Sequence, residues 1–380
     1  MSLRVAFYSH NGFGLGHVRR NLKLAQGLLR RRPNADVLLL TGSSGFHAFP
    51  LPASIDYVKL PSVRKQAGGR WRPHALDIQM ERLLELRRTI ILEAIRAYRP
   101  HLFVADFLPL GVERELVPAL EELQRRQDAR SVIGFRDILD DPKSVREAWA
   151  LDGSREALES LYDLVLVYGE ADWFDFSAYG LPAGLPRYVG FLGDPEAEWR
   201  PQQPGVRRVL ATSGGGADGY AVVAAALEAH ELLQERREER IACQAVTGPL
   251  MPEADVARLR AIGRRVGGRV RVFADDLPRW LGRSSAIVGM GGYNTVTDVL
   301  SYRRPAVLVP RPGPSQEQPL RGQILAARGL ATILPLGEAT SRAVAAALEP
   351  LLDPPAYDAD ALPSLDGVAR AVDSLLELVE

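Results

Sequence analysis

The sequence is short of cysteine, of lysine and of long apolar runs. Its 380 residues contain one cysteine, Cys243, which excludes a disulfide framework and a thiolate metal cluster. Only Lys23, Lys59, Lys65 and Lys143 are lysines among the 47 cations, the other 43 being arginine; this excess reads as a genomic or heat-tolerance bias. No apolar run reaches the roughly 20 residues of a membrane span, and Met1 leads into a charged strand rather than a signal peptide. A cytoplasmic protein is therefore expected, with peripheral contact with an anionic membrane left open. Nucleic acid is not an expected partner, because the basic residues lack interleaved aromatics and no recognised module appears. Net charge is absent too, 47 basic side chains standing against 47 acidic.

That zero is an average over unlike segments. Residues 1–100 carry 17 basic and 6 acidic side chains, and residues 101–200 carry 10 and 20. A basic stretch can attract an anionic partner while the whole molecule stays neutral. With 46% apolar and 25% charged residues, the chain has an ordinary globular composition and the length of two domains.

Short apolar strands alternate with amphipathic helices along the sequence. Leu3–Tyr8, Asp36–Leu40, Ile55–Leu60, His101–Ala105, Ser131–Phe135 and Leu164–Val167 read as strands, with a helix over 76–98. Continuous apolar strands between helices predict a parallel sheet covered on both faces. A Pro- and Gly-rich connector follows, and a second set begins at Arg208–Ala211 and continues through Ile241–Val246, Val270–Phe273, Ala286–Val288 and Ala306–Val309. The expected organisation is a Rossmann-like α/β domain over 1–190, a linker over 191–205, a second over 206–360, and a terminal helix within 361–380. Ligands of such sheets bind at the carboxyl ends of strands, so the cleft between the two domains is the expected site.

Glycine-rich turns fall at those strand ends. Gly12, Gly14 and Gly16 precede His17, where glycine permits close backbone approach and a helix start offers unpaired N–H groups. The third position of a dinucleotide fingerprint is His17, and Thr41-Gly42 rather than an acid closes strand two, so NAD binding is set aside. Neither glycine cluster is followed by Lys-Ser/Thr, so a P-loop is excluded. A neutral His17 imidazole could take a proton from a hydroxyl. Asp106 ends another strand at the same sheet edge and could orient that imidazole. The plain alternatives are a helix-start histidine bonded to local backbone and an aspartate capping a helix.

In the second half, Ser213-Gly214-Gly215-Gly216 and Gly289–Thr295 each open a helix, and two such openings suit a diphosphate. Gly292, Tyr293, Asn294 and Thr295 belong to the second. Asp298 lies four residues past Asn294, within reach of a ribose diol, and Glu317 with Gln318 suits sugar hydroxyls. Each cluster alone is an ordinary βα turn; their joint order is far harder to obtain by chance.

The ordered set Gly292-Tyr-Asn-Thr-Val-Thr-Asp298, Arg304-Pro-Ala-Val-Leu-Val-Pro310 and Glu317-Gln-Pro-Leu-Arg321 resembles the donor signature of GT-B nucleotide-sugar glycosyltransferases. Gly14-Leu-Gly-His17 resembles the glycine–histidine turn of that superfamily, including the N-acetylglucosaminyltransferase of the peptidoglycan lipid precursor. The resemblance spans essentially the whole chain. It implies two Rossmann-like domains facing a central cleft and a C-terminal helix crossing back to the first. It implies His17 as general base with Asp106 as its orienter. It places the diphosphate on Ser213–Gly216 and Tyr293–Thr295, ribose on Asp298, the base, usually uracil, near Phe273, and the donor sugar on Glu317 and Gln318. Three residues depart from the pattern: Met290 stands at a usual histidine, Asp298 at a usual glutamate and Arg321 at a usual asparagine.

The resulting expectation is an inverting, single-displacement transfer from a nucleotide sugar, UDP-linked, with helix ends stabilising the leaving group. No cofactor is required and no metal is expected, since the only Asp-x-Asp triplet is Asp358-Ala-Asp360 in a late loop. The acceptor, a small molecule, glycan or lipid-linked hydroxyl, is expected on the first domain, with Gly14, Gly16, Arg64 and Trp71. Arg64–Pro73 reads there as a basic, flexible loop with an exposed Trp71, equally compatible with an ordinary solvated surface. A UDP-sugar epimerase of the same fold and a non-catalytic nucleotide-sugar binder remain alternatives.

Overall fold

The computed structural model describes residues 2–10, 15–46, 49, 51–66, 70–197, 205–274, 276–353 and 361–380. It divides into two compact units, Met1–Leu192 with Asp366–Glu380, and Gly193–Leu365.

The first unit contains β1 (Arg4–Ser9), α1 (Gly16–Arg31), β2 (Asp36–Thr41), β3 (Ile55–Lys59), β4 (Val63–Lys65), β5 (Trp71–Pro73), α2 (Met80–Tyr98), β6 (Leu102–Asp106), α3 (Val117–Gln124), β7 (Arg130–Arg136), α4 (Pro142–Asp152), α5 (Ser154–Ser160), β8 (Leu164–Tyr168) and β9 (Pro186–Tyr188). Seven strands form one parallel sheet in the order β3-β2-β1-β6-β7-β8-β9. Val5–Tyr8 and Leu102–Ala105 are fully buried, as an all-apolar run requires when both faces are covered. Strand order reverses between β1 and β6, and their register puts Ser9 beside Asp106. Such a reversal leaves a crevice at the carboxyl ends, because the connections on its two sides leave in opposite directions.

The second unit contains β10 (Val206–Thr212), α6 (Tyr220–Arg236), β11 (Arg240–Val246), α7 (Glu253–Val266), β12 (Arg269–Arg271), α8 (Leu277–Arg283), β13 (Ala286–Gly289), α9 (Tyr293–Ser301), β14 (Ala306–Leu308), α10 (Glu317–Ala327), β15 (Thr332–Ile333) and α11 (Ser341–Leu348). Its sheet is parallel, in the order β12-β11-β10-β13-β14-β15. Here the reversal lies between β10 and β13, where Thr212 sits beside Gly289.

The last helix, α12 (Gly367–Glu377), belongs to the first unit. It buries Ala371, Val372, Leu375 and Leu376 against α1, where Gly27 leaves the space: a Cβ there would lie 2.6 Å from Val368 Cγ1. Arg31 and Asp373 pair at 2.8 Å on the rim of this contact.

Several sequence readings are corrected in detail. The helix read over 76–98 starts at Met80. The expected flexible loop 64–73 contributes two antiparallel strands, with Lys65 opposite Trp71, and residues 67–69 between them lie outside the described residues. Trp71 is half-buried rather than exposed, packed with Met80 and Leu108 against Val63, Leu83, Leu84 and Val112. The triplet Asp358–Asp360 lies outside the described residues.

A buried ion pair holds the segment that follows β6. Arg87 of α2 and Glu115 are both fully buried, with Nε and Nη2 donating to the carboxylate at 2.5 and 2.6 Å. The Tyr8 hydroxyl also donates to that carboxylate, and Arg87 Nη1 donates to the Pro61 carbonyl. Every oxygen of Glu115 has a donor, the condition under which a buried charge is tolerated. Arg87→Met leaves Glu115 buried and unpaired and is expected to cost about 3–5 kcal/mol in urea unfolding. The Arg87→Met/Glu115→Leu double variant should recover a large part of that loss; no recovery would mean that the charges are not what the site depends on.

Candidate active site

At the reversal of the first sheet, His17 stands on the first turn of α1 and Asp106 ends β6. Their side chains meet, with Nδ1 2.8 Å from Oδ2, and both are buried. Asp106 does not cap a helix. Arg20, one helical turn beyond His17, places Nη2 at 3.1 and 3.0 Å from the two oxygens of the same carboxylate.

Burial pushes the Asp106 carboxyl up, but Arg20 and then His17 outweigh it and hold the carboxyl at about 2. Burial lowers the His17 imidazole from its ordinary 6.5, against the pull of Asp106 and with the help of Arg20. The pair at neutral pH is therefore a carboxylate and a neutral imidazole. A carboxylate only accepts, so the proton belongs on Nδ1 and the lone pair on Nε2. That is the tautomer a general base requires.

Sequence reasoning missed three neighbours. His10, directly after β1, is buried, packs edge-on against His17 at 4.7 Å and has no hydrogen-bond partner on Nδ1. Phe107, directly after Asp106, adopts a positive φ of 77°, a strained conformation for an aromatic residue. Its ring stacks on His10 at 6.0 Å and lies 5.5 Å from His17, with the Arg136 guanidinium 4.6 Å above it. Trp71 completes the wall, 5.8 Å from His10. The third missed neighbour is Arg20, whose only signal is its place three positions after His17 on the same helix face; position alone marks neither His10 nor Phe107. Of the other acceptor-side candidates, Gly16 begins α1, Arg64 lies on β4, and Gly14 falls outside the described residues.

The second unit brings its two glycine loops together. Gly214 and Thr295 are close enough that a Cβ on the glycine would lie 3.8 Å from Thr295 Oγ1. The 213–216 loop is zipped to the turn after β11: Ser213 Oγ donates to the Thr247 carbonyl at 2.6 Å, and Leu250 N–H donates to the Gly215 carbonyl at 2.9 Å. Gly216 has φ 98°, and a Cβ there would meet the Thr247 carbonyl at 2.3 Å, so no other residue fits. The helix after this loop starts at Tyr220. Among the described residues the α9 N-terminus, with Gly292 as N-cap, has no side-chain cap, and the positive end of its helix dipole suits an anion.

Around that helix start, Arg321 is fully buried, donating to the Gly291 carbonyl at 2.8 Å and lying 3.4 Å from Glu317 Oε2. Gln318 accepts the Arg311 N–H at 2.9 Å. Glu317 and Gln318 are thus buried and tied to the segments beside them, Glu317 through the arginine that departs from the family pattern and Gln318 through the Arg311 backbone. Tyr293 is buried within 5.9 Å of the Arg321 guanidinium, Asp298 is nearly buried one turn further along α9, and Met290 lies in the core. Phe273 stands 37% exposed just beyond β12. Among the described residues no group of three or more His, Cys, Asp or Glu is placed to hold a metal ion, and no helix is long and apolar enough to cross a membrane.

Residues 213–373 match the glycosyltransferase family 28 C-terminal domain. Over 372 residues the chain is 25% identical to the UDP-N-acetylglucosamine–N-acetylmuramyl-(pentapeptide) pyrophosphoryl-undecaprenol N-acetylglucosamine transferase of Bradyrhizobium sp. (strain BTAi1), covering 90% of this chain and 97% of the relative. Among solved structures, the glycotransferase of kitacinnamycin superposes with a TM-score of 0.62 at 15% identity, covering 100% of both chains. Acinetobacter baumannii MurG does so with 0.58 at 14%, covering 99% of this chain and 98% of that one. The fold is that of the GT-B glycosyltransferases, which the chain also resembles in sequence. This GT-B enzyme is a glycosyltransferase, and its fold is the two-sheet α/β arrangement described above.

The linkage between Asp106 and folding has a defined sign. Its folded value, about 2, lies below the ordinary 3.8, so the stabilisation is full above pH 3.8 and is lost as pH falls toward 2. Wild type should exceed Asp106→Asn in urea stability by about 2 kcal/mol at pH 6 from this source. The gap should narrow between pH 4 and pH 3; a gap constant over that range would show that the carboxylate's charge is not stabilising.

Proposed function

We propose that this glycosyltransferase moves a hexose-type sugar from a UDP-linked donor to an acceptor hydroxyl with inversion, and that His17 is its general base. The reading is carried by the 2.8 Å contact between His17 Nδ1 and an ionised, buried Asp106. In the step envisaged, Nε2 takes the acceptor hydroxyl's proton as its oxygen bonds to the anomeric carbon. The bond from that carbon to the diphosphate oxygen breaks on the opposite face, and UDP leaves with its electron pair. The imidazolium, stabilised by Asp106, then releases the proton to water.

The donor diphosphate is assigned to the loops Ser213–Gly216 and Gly292–Thr295. Their role is supported by the close approach of Gly214 and Thr295 and by the uncapped start of α9. Ser213 and Gly216 shape the first loop, and Gly214, Gly215 and the N–H groups of Tyr293, Asn294 and Thr295 face the anion. Asp298 is assigned to ribose, Phe273 to the nucleobase, and Glu317 with Gln318 to the sugar. Helix ends supply the positive charge, so no metal or other cofactor is required in this mechanism.

The Bradyrhizobium relative, by its name, uses UDP-N-acetylglucosamine and a pyrophosphoryl-undecaprenol-linked acceptor. A lipid-linked acceptor suits the first unit here. Leu76, Ile78 and Leu86 are 48%, 38% and 42% exposed, close in sequence to the basic hairpin of Arg64, Lys65 and Arg72. We assign this surface to peripheral contact with anionic lipid at the inner membrane face, with Trp71 and Gly16 nearer the acceptor.

His17→Ala should lower transfer by about 100-fold or more while UDP still raises the melting temperature as in wild type. Retained transfer would remove His17 from the mechanism, and a panel in which UDP gives no specific rise would remove the donor class. Vesicles containing anionic lipid should retain the protein at low salt, and Leu76→Asp/Ile78→Asp should release it; absence of retention would end the membrane assignment.

A further inference from the structure

We propose that Arg20 is a positioning residue of the base. It fixes the Asp106 carboxylate on Nδ1 of His17, so that the lone pair stays on Nε2 for the acceptor's proton. The inference rests on His17 being the base.

Positions 17 and 20 face the same way on α1, and Arg20 is 2% exposed. Its Nη2 lies 2.7 Å from His17 Nδ1 as well as 3.1 and 3.0 Å from the carboxylate oxygens. Nδ1 thus has two neighbours with opposite requirements. A guanidinium only donates and would be satisfied by a lone pair on Nδ1; a carboxylate only accepts and requires a proton there.

Geometry and charge decide between them. A lone pair on Nδ1 would face an ionised oxygen at 2.8 Å, placing two acceptors in contact. The Arg20 N–H has both Asp106 oxygens within reach whichever way the imidazole is protonated. The arrangement that satisfies Nδ1, Nη2 and the carboxylate together is therefore Nδ1–H to Asp106 and Nη2–H to Asp106. The wrong tautomer, with its proton on Nε2, would leave the imidazole unable to accept from a hydroxyl.

Arg20 also sets how many protons the group holds. The charged and titratable side chains facing His17 are Asp106 from β6, Arg20 from its own helix, Arg136 from β7, and His10 at the end of β1. Phe107 and Trp71 are uncharged. With Arg20 present, the buried carboxylate is already compensated and a second proton on the imidazole meets a guanidinium. Without Arg20, the nearest compensation for Asp106 is an imidazolium, which occupies Nε2 with a proton and removes the base at neutral pH.

Histidine-15N NMR, with His17→Gln assigning the resonance, reads both effects without an acceptor. Wild type should show the Nδ1–H tautomer and protonate below pH 6.5. Arg20→Met should raise the midpoint by about one pH unit or more. It should move the acid limb of UDP-N-acetylglucosamine hydrolysis, with water as acceptor, by the same amount. Arg20→Lys, which keeps the charge, should return most of the shift. An Nε2–H tautomer in wild type overturns the proposal, and does so even if Arg20→Met does not fold. An unmoved midpoint in folded Arg20→Met also overturns it. Loss of hydrolysis in His17→Ala with an unmoved Arg20→Met profile sinks the role of Arg20 alone, whereas full activity in His17→Ala sinks the reading of the base.

Discussion

The register of two parallel strand pairs is the constraint on which the rest depends. β1 and β6 align so that Ser9 meets Asp106, and β10 and β13 so that Thr212 meets Gly289. In each sheet this pair is where strand order reverses, so the chain leaves the two strand ends in opposite directions. The space between those departures has no covalent path through it. Residues 89 positions apart in sequence, His17 and Asp106, become neighbours because backbone hydrogen bonding across the sheet permits no other register without turning apolar side chains out of the core.

Much of this was legible in the sequence because it follows from local chemistry. Uninterrupted apolar strands gave away a sheet covered on both faces, and glycine-rich turns gave away the strand ends that matter. His17 and Asp106 could be paired because one opens the helix after the first strand and the other ends a strand at the same sheet edge. The hairpin of 63–73 was harder to see, since strands of three residues carry almost no periodicity. The half-burial of Trp71 depends on α2, a partner that its own sequence does not name. Arg20, His10 and Phe107 were missed for a related reason. Each looks ordinary in its local segment, and its role comes from contact with a residue supplied by another strand. The second unit shows the converse: Glu317 and Gln318 were recognisable as polar residues beyond a strand end, but their attachment to Gly291 and Arg311 through Arg321 and a backbone N–H is a property of the packed unit.

The two units place their polar groups by different means. In the first, charges are buried in complementary sets, Arg87 with Glu115 and Arg20 with Asp106, the guanidinium of each supplying donors for the carboxylate's oxygens. In the second, the polar work falls on backbone. Gly216 and Gly248 let two turns approach so closely that any Cβ would overlap a carbonyl, and α9 begins without a side-chain cap. The proton transfer proposed for the first unit needs charge and defined tautomers; the diphosphate proposed for the second needs aligned N–H groups and room. The residue types follow those requirements.

The return of α12 to the first unit sets an order on how the protein can be made. The groove beside Gly27 and the Phe191 carbonyl that receives the Gly367 N–H remain unfilled until residues 367–377 have left the ribosome. The unit synthesised first is therefore the last to be completed. Its sheet can assemble while the second unit is still being translated, but the face of α1 that α12 covers stays open to solvent, or to a chaperone, through the whole of that interval.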